Sequence, residues 1–60
     1  MISNEQALKA CVLVQFLTSK GLPIRVFQYS EAEELIRIEA GLGDRQIKIV
    51  INKRGKAKYV

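Results

Sequence analysis

Gly21 and Pro23 divide the sequence into two parts in which apolar residues recur with different periods. Before this break they recur every three or four residues, which is the period of a helix with an apolar side. After it, β-branched residues occupy every second position, which is the period of a strand with one buried face. Glycine favours the conformation that ends a helix, and proline cannot continue one. The break therefore predicts one helix followed by strands, which is an α+β fold.

The first part opens with a signal for a helix start. Ser3 is a suitable N-cap residue, and Gln6, three residues later, can reach back to its backbone in a capping box. We therefore expect a helix from about Asn4 to Lys20, with Gly21 as the residue that ends it.

Turn-forming residues separate the apolar runs of the second part. The breaks are Ser30 to Glu34, Gly41 to Asp44 and Asn52 to Gly55. They predict antiparallel hairpins, so the expected order is α-β-β-β-β. This is a helix packed on an antiparallel β-meander of three to four strands, in a single domain over residues 1–60. The last break suits a type I turn with glycine in the left-handed position, which places Ile51 opposite Ala57.

The length of the second loop sets which residues face each other on neighbouring strands. A four-residue loop at Gly41 to Asp44 pairs Ala40 with Arg45. It also places Arg37 opposite Lys48, and like charges that face each other across strands are destabilising. We therefore expect an anionic ligand to relieve this repulsion.

The counts of cysteine and histidine exclude several classes of protein. Cys11 is the only cysteine among the 60 residues and histidine is absent, so neither an internal disulfide nor a Cys/His zinc site can form. Because there is no nucleophile–base pair and no cofactor motif, we expect no enzymatic activity, no cofactor and no metal. The apolar run from Ala10 to Leu17 is interrupted by Gln15 and is too short to span a bilayer. A cytoplasmic protein without a membrane partner is therefore expected.

Apolar residues surround most of the expected helix. At about 100° per residue, one apolar side contains Ala7, Ala10, Cys11, Val14 and Leu17. This placement predicts that Cys11 is a buried packing residue. A single sheet covers only one side of a helix, so a second apolar side needs another chain, and we expect a homodimer with Leu8, Val12 and Phe16 at its interface. The alternative is a curled sheet that covers the helix more fully.

Positive charge is concentrated in the last part of the sequence. Residues 45–60 contain six Lys or Arg and no acid, within a chain of net charge +4. Basic residues with aromatic residues between them favour nucleic acid, because cations contact phosphates and aromatic rings stack on bases. Strand alternation predicts such a set on the outer face of the sheet. The candidate nucleic-acid-binding residues are Arg25, Phe27, Tyr29, Arg37, Lys48, Lys56 and Lys58 on this face, with Lys53 and Arg54 in the adjoining turn.

Two functions are compatible with these surfaces. The first is a small non-enzymatic homodimeric binding module that contacts nucleic acid through the basic outer face of the sheet. The second is a protein-interaction or regulatory subunit that docks another protein through its apolar helix. In the second case the lysines only keep the sheet soluble and protect its edges from aggregation.

Overall fold

The computed structural model describes residues 1–60 as one helix followed by a four-stranded antiparallel sheet with strand order β1-β2-β3-β4. The elements are α1 Asn4–Ser19, β1 Ile24–Ser30, β2 Leu35–Leu42, β3 Arg45–Ile51 and β4 Ala57–Tyr59. This confirms the predicted α+β fold and its α-β-β-β-β order. Helix α1 crosses one face of the sheet, in contact with β1, β2 and β3. Helix α1, with 16 residues, falls short of a membrane-spanning segment.

Both ends of α1 follow from local sequence. The capping box is present: the Gln6 backbone N–H donates to Ser3 Oγ at 3.1 Å, and the Ser3 N–H donates to Gln6 Oε1 at 2.9 Å. At the other end Gly21 has a φ of 77°, and the Leu22 N–H donates to the Leu17 carbonyl at 2.9 Å. This is a Schellman motif, in which the residue after the glycine packs back on the helix. Leu17 and Leu22 are accordingly both buried.

Gln6 also fixes the start of α1 to the sheet. Its side chain is fully buried, and Nε2 donates to the carbonyl oxygens of Glu34 at 2.7 Å and Ile51 at 3.2 Å. Together with the Ser3 contact, these bonds satisfy both ends of the amide group. Buried amides that lack partners are costly, so this arrangement holds α1 in one position over the sheet.

The core lies between α1 and the inner face of the sheet. Its centre is formed by the buried isoleucines Ile36, Ile38, Ile49 and Ile51. From α1, Ala10 and Leu17 pack against them, and Ala40 lies beside them on β2. Because alanine is small, Ala10 and Ala40 allow the helix backbone to approach the sheet. Burial of each isoleucine contributes roughly 1.5–3 kcal/mol to folding.

The loop between β2 and β3 is shorter than predicted. Leu42 pairs with Arg45, which leaves only Gly43 and Asp44 in the loop. Gly43 has a φ of 63°, as the first central residue of a type II′ hairpin turn requires. Gly41 therefore belongs to β2, and the predicted pairing between β2 and β3 is wrong by two residues.

The corrected register removes the predicted repulsion on the outer face. Arg37 pairs with Val50, and Lys48 pairs with the oppositely charged Glu39. A shift of two residues keeps every side chain on its face but changes its neighbours. The argument that an anion is needed between Arg37 and Lys48 therefore fails.

A β-bulge at Arg25 interrupts β1. Ile24 pairs with Ala40 on β2, whereas Val26 pairs with the adjacent residue Glu39, so Arg25 has no partner of its own. An inserted residue of this kind reverses the alternation of side chains beyond it.

The bulge places the aromatic residues of β1 on the helix side of the sheet. Phe27 pairs with Ile38 and Tyr29 pairs with Ile36, and both isoleucines face α1. The prediction that Arg25, Phe27 and Tyr29 line the outer face in one row is therefore wrong. Simple alternation along β1 does not hold across the bulge.

The hairpin between β3 and β4 has the predicted register. Ile51 pairs with Ala57, and the Gly55 N–H donates to the Asn52 carbonyl at 2.9 Å. Gly55 has a φ of 80°, and a Cβ there would lie 2.9 Å from the Glu5 carbonyl oxygen. Glycine is therefore required both by the turn and by the close approach of the turn to α1.

Candidate interaction surfaces

The outer side of α1 carries an uncovered apolar surface, here called the helix ridge. It consists of Leu8, Val12 and Phe16, which are 69%, 59% and 51% exposed. Residues four apart lie one turn apart on the same side of a helix, so these side chains form one continuous ridge. The structure places the predicted interface residues together and leaves all of them without cover from the sheet.

Charged side chains border the helix ridge. Lys20 Nζ lies 5.5 Å from the centre of the Phe16 ring, a distance typical of a cation–π contact. At the other end of α1, Glu5, Lys9 and Arg54 surround a depression of about 300 Å³ next to Leu8 and Val12. The ridge thus has an apolar centre and a charged rim, as protein–protein interfaces commonly do.

A second apolar surface lies on the opposite flank of α1, between the helix and β1. This groove, here called the β1 groove, has a volume of about 360 Å³. Its lining residues are Ile2, Ala7, Ala10, Cys11, Val14, Gln15, Phe27 and Ile36. None of them is charged, and Gln15 is the only polar one. The groove exists because α1 covers the centre of the sheet and leaves the side of β1 open.

Cys11 lines the β1 groove and is exposed, so the prediction that it is a buried packing residue is wrong. The helix side that faces the sheet is centred on Gln6, Ala10 and Leu17, which are the buried residues of α1. Cys11 lies beyond this side, towards β1. The side of α1 that packs on the sheet is therefore rotated by part of a turn from the side that the sequence predicted.

Tyr29 lies on the helix side of β1, two residues after Phe27. Its hydroxyl oxygen accepts a hydrogen bond from the amino group of Met1 at 2.9 Å. Partial burial, followed by the charges of Glu31 and Glu34, raises the pKa of the Tyr29 hydroxyl above its ordinary value of 10.0. The side chain therefore stays neutral throughout the physiological range and serves as a packing and hydrogen-bonding group.

The outer sheet face, opposite α1, carries three cations of the predicted nucleic-acid-binding set. Arg37 and Lys58 lie on either side of Val50, with which both pair, and Lys48 lies on the same face. Two of these charges have acidic neighbours. Lys48 pairs across the strands with Glu39, and Arg37 lies 3.8 Å from Glu33. The face is therefore basic, but less so than the sequence predicts.

The remaining cations of the predicted set lie at the β3–β4 turn. Lys53, Arg54 and Lys56 occupy this turn and the position after it, near the start of α1. Lys53 lies 3.8 Å from Glu34. The structure thus divides the predicted site into an outer-face group, a turn group, the isolated Arg25, and two aromatic residues on the helix side.

The β1 groove is the surface that sequence reasoning missed. Its floor depends on Phe27, which only the bulge brings to the helix side. Helical spacing shows that Ala7, Cys11 and Gln15 form an uncharged flank, but Ala7 and Cys11 were assigned to the side that packs on the sheet. No group of three or more metal-ligating side chains lies together in the structure.

Comparison with known proteins gives a family but no activity. A family model described as "Domain of unknown function (DUF6888)" matches residues 1–58. Neither a curated protein nor a solved structure matches the chain. The family description states no ligand and no reaction.

Proposed function

The chain belongs to the DUF6888 family of domains of unknown function, and from its uncovered helix ridge we propose that it acts as a non-enzymatic homodimeric interaction module. The observation that carries the proposal is that Leu8, Val12 and Phe16 are 69%, 59% and 51% exposed on one ordered helix. Monomeric proteins rarely leave a large continuous apolar patch in water. Covering the ridge is therefore favourable.

The spacing of the ridge suits a second copy of the same chain. If two α1 helices meet antiparallel about a two-fold axis at Val12, Leu8 of each copy packs against Phe16 of the other. Two-fold interfaces need such self-complementary surfaces. The arrangement also brings Glu5 near Lys20 of the second copy and sets the two helix dipoles antiparallel, and both effects are favourable.

A dimer would also support a small fold. Only 12 of the 60 residues are buried in the isolated chain. Short chains bury a small fraction of their surface and are marginally stable alone. Because a partner that binds only the folded state stabilises it by mass action, the midpoint of thermal unfolding is expected to rise with protein concentration.

Sedimentation equilibrium of matched variants tests the proposal. The protein is expected to be a dimer at micromolar concentration, and Val12→Asp is expected to convert it to a monomer because it places a charge at the centre of the ridge. Ala7→Asp makes a similar change on the opposite, exposed flank of α1 and should remain a dimer. Circular dichroism checks that both variants keep their fold. A wild-type monomer would contradict the homodimer and favour a different protein on the helix ridge.

A second candidate function is nucleic-acid binding through the outer sheet face. The observation in its favour is that Arg37, Lys48 and Lys58 share this face, where Glu39 and the nearby Glu33 are the acidic neighbours. With Phe27 and Tyr29 on the other side of the sheet, such binding would depend on phosphate contacts rather than on base stacking. Affinity would then depend strongly on salt and little on sequence.

Titration of a labelled duplex at several salt concentrations tests this candidate. Lys58→Ala should weaken binding and reduce the magnitude of the salt slope by about one unit if Lys58 contacts a phosphate. Lys20→Ala, on the helix side, removes the same charge and should leave the slope unchanged. Absence of binding at low salt, where phosphate attraction is strongest, would eliminate the candidate.

A further inference from the structure

We propose that the β1 groove binds a short extended peptide of another protein, which adds a strand to the free edge of β1. The peptide carries apolar side chains at alternate positions, a carboxylate at the Arg25 end and a cation at the Glu31 end. The inference does not depend on the proposed homodimer, because Ala7 of the groove lies on the flank of α1 opposite to the helix ridge.

The edge of β1 is open to another strand. β1 is the first strand of the sheet and pairs only with β2. The backbone groups of Val26–Ser30 that face away from β2 form no hydrogen bond with any side chain or other segment. Natural edge strands are usually protected by bulges, prolines or lysines. Here the bulge at Arg25 protects only the start, and Val26–Ser30 contains neither proline nor lysine.

The groove lies where the side chains of an added strand would point. A strand paired with β1 lies about 4.8 Å from it, and its alternate side chains face α1 beside Phe27. Phe27 is 50% exposed, so an apolar neighbour would cover its ring. Ala7 and Cys11 close the opposite wall of a space of about 360 Å³. That volume suits a few apolar side chains rather than a whole domain.

Charges at the two ends of β1 define the chemistry of the peptide. Arg25 is exposed and forms no ion pair. At the other end, Glu31 has only a long contact of 4.0 Å with the exposed amino group of Met1. The two residues are six positions apart, which is about 20 Å in a strand. A peptide of about seven residues with opposite charges at its ends therefore complements both.

The probe is an acetylated, amidated heptapeptide with glutamate and lysine at its ends and three valines separated by threonines between them. It is made in both chain directions, because a strand can add parallel or antiparallel. Titration into ¹⁵N-labelled protein should shift the amide resonances of Val26–Ser30. Occupancy should also slow alkylation of Cys11, which lines the groove.

Two sets of modified peptides test the hydrogen bonds. Peptides are N-methylated on one alternate set of amides or on the other. Methylation of the amides that face β1 should weaken binding about tenfold, because about two hydrogen bonds are lost. Methylation of the other alternate set should leave the affinity unchanged. Equal binding by all peptides would show simple apolar adsorption and overturn the proposal.

Protein variants test the groove and the charges. Ala7→Lys should block the groove and prevent binding, whereas Val12→Asp on the helix ridge should bind normally. Arg25→Glu should weaken binding about two- to fivefold, and exchanging the peptide glutamate for lysine should restore it. No resonance shift at millimolar peptide would overturn the proposal. Shifts in β1 that depend on protein concentration without peptide would also overturn it and identify a second copy as the occupant.

Discussion

Gln6 joins three parts of the protein that are far apart in sequence. Its side chain binds the backbone of Ser3, of Glu34 in the β1–β2 turn and of Ile51 at the end of β3. The capping-box pattern predicts only the first of these contacts. The other two could not be predicted, because they depend on where the sheet places two carbonyl groups. A residue identified as a local helix cap is thus also a tertiary contact.

Replacing Gln6 should destabilise the fold more than replacing an exposed glutamine does. Gln6→Ala leaves two carbonyl oxygens without a donor and should lower the free energy of unfolding by about 2–3 kcal/mol. Gln6→Glu should not rescue stability, since a carboxylate cannot donate to carbonyls. Urea denaturation measures both, with the exposed Gln15→Ala as control, expected within about 0.5 kcal/mol of wild type. Equal effects of Gln6→Ala and Gln15→Ala would contradict this assignment.

Cys11 should react readily in the folded protein. Because its side chain is exposed in the β1 groove, labelling with a thiol reagent should be nearly as fast under native conditions as in denaturant. Labelling is measured on the monomeric Val12→Asp variant as well, because Cys11 lies only three residues from Leu8 of the helix ridge. Strong protection of the native thiol would mean that the groove is closed or occupied in solution.

Secondary-structure elements with strong local signals could be predicted from the sequence. The β-bulge in β1, which inserts a residue, and the β2–β3 loop, which is two residues shorter than expected, could not. The ends of α1 and the β3–β4 hairpin were predicted because Ser3, Gly21 and Gly55 have strong conformational preferences. The sequence carries no such signal for the bulge at Arg25, so the predicted face for Phe27 was wrong. The β2–β3 loop carries two glycines, and the pattern did not distinguish a four-residue loop from the two-residue loop observed.

The β1–β2 turn contains a residue in an unfavourable conformation. Glu34 has a φ of 56°, the only positive value outside glycine, and such a conformation costs about 1 kcal/mol or more for a residue with a Cβ. Glu34→Gly should therefore stabilise the fold by up to about 1 kcal/mol, since the lost ion pair with Lys53 is exposed and weak.

Glu33→Gly is the matched control for this change. Glu33 has no positive φ, so glycine there only increases the conformational freedom of the unfolded chain and should destabilise the protein. Denaturant midpoints for both variants give the comparison. If both substitutions lower the midpoint equally, the conformation of Glu34 carries no strain.

A fold of one helix on a four-stranded sheet leaves several surfaces uncovered. Helix α1 has an apolar ridge on one flank and the β1 groove on the other, while the outer sheet face carries cations. We assign the ridge to a second copy and the groove to a peptide, and the two assignments are separable because Val12 and Ala7 lie on different flanks. Leu8, Val12 and Phe16 share one exposed side of α1, as helical spacing alone predicts.

Site-specific crosslinking at Val12 tests the homodimer most directly. In a Cys11→Ser background, Val12→Cys places a thiol at the proposed two-fold axis, where two copies of the residue meet at a distance that a disulfide can bridge. Ala7→Cys in the same background places an exposed thiol on the opposite flank. Under mild oxidation, Val12→Cys should form covalent dimers rapidly at micromolar concentration and Ala7→Cys should not. Equally slow crosslinking of both variants would contradict an antiparallel dimer through the helix ridge.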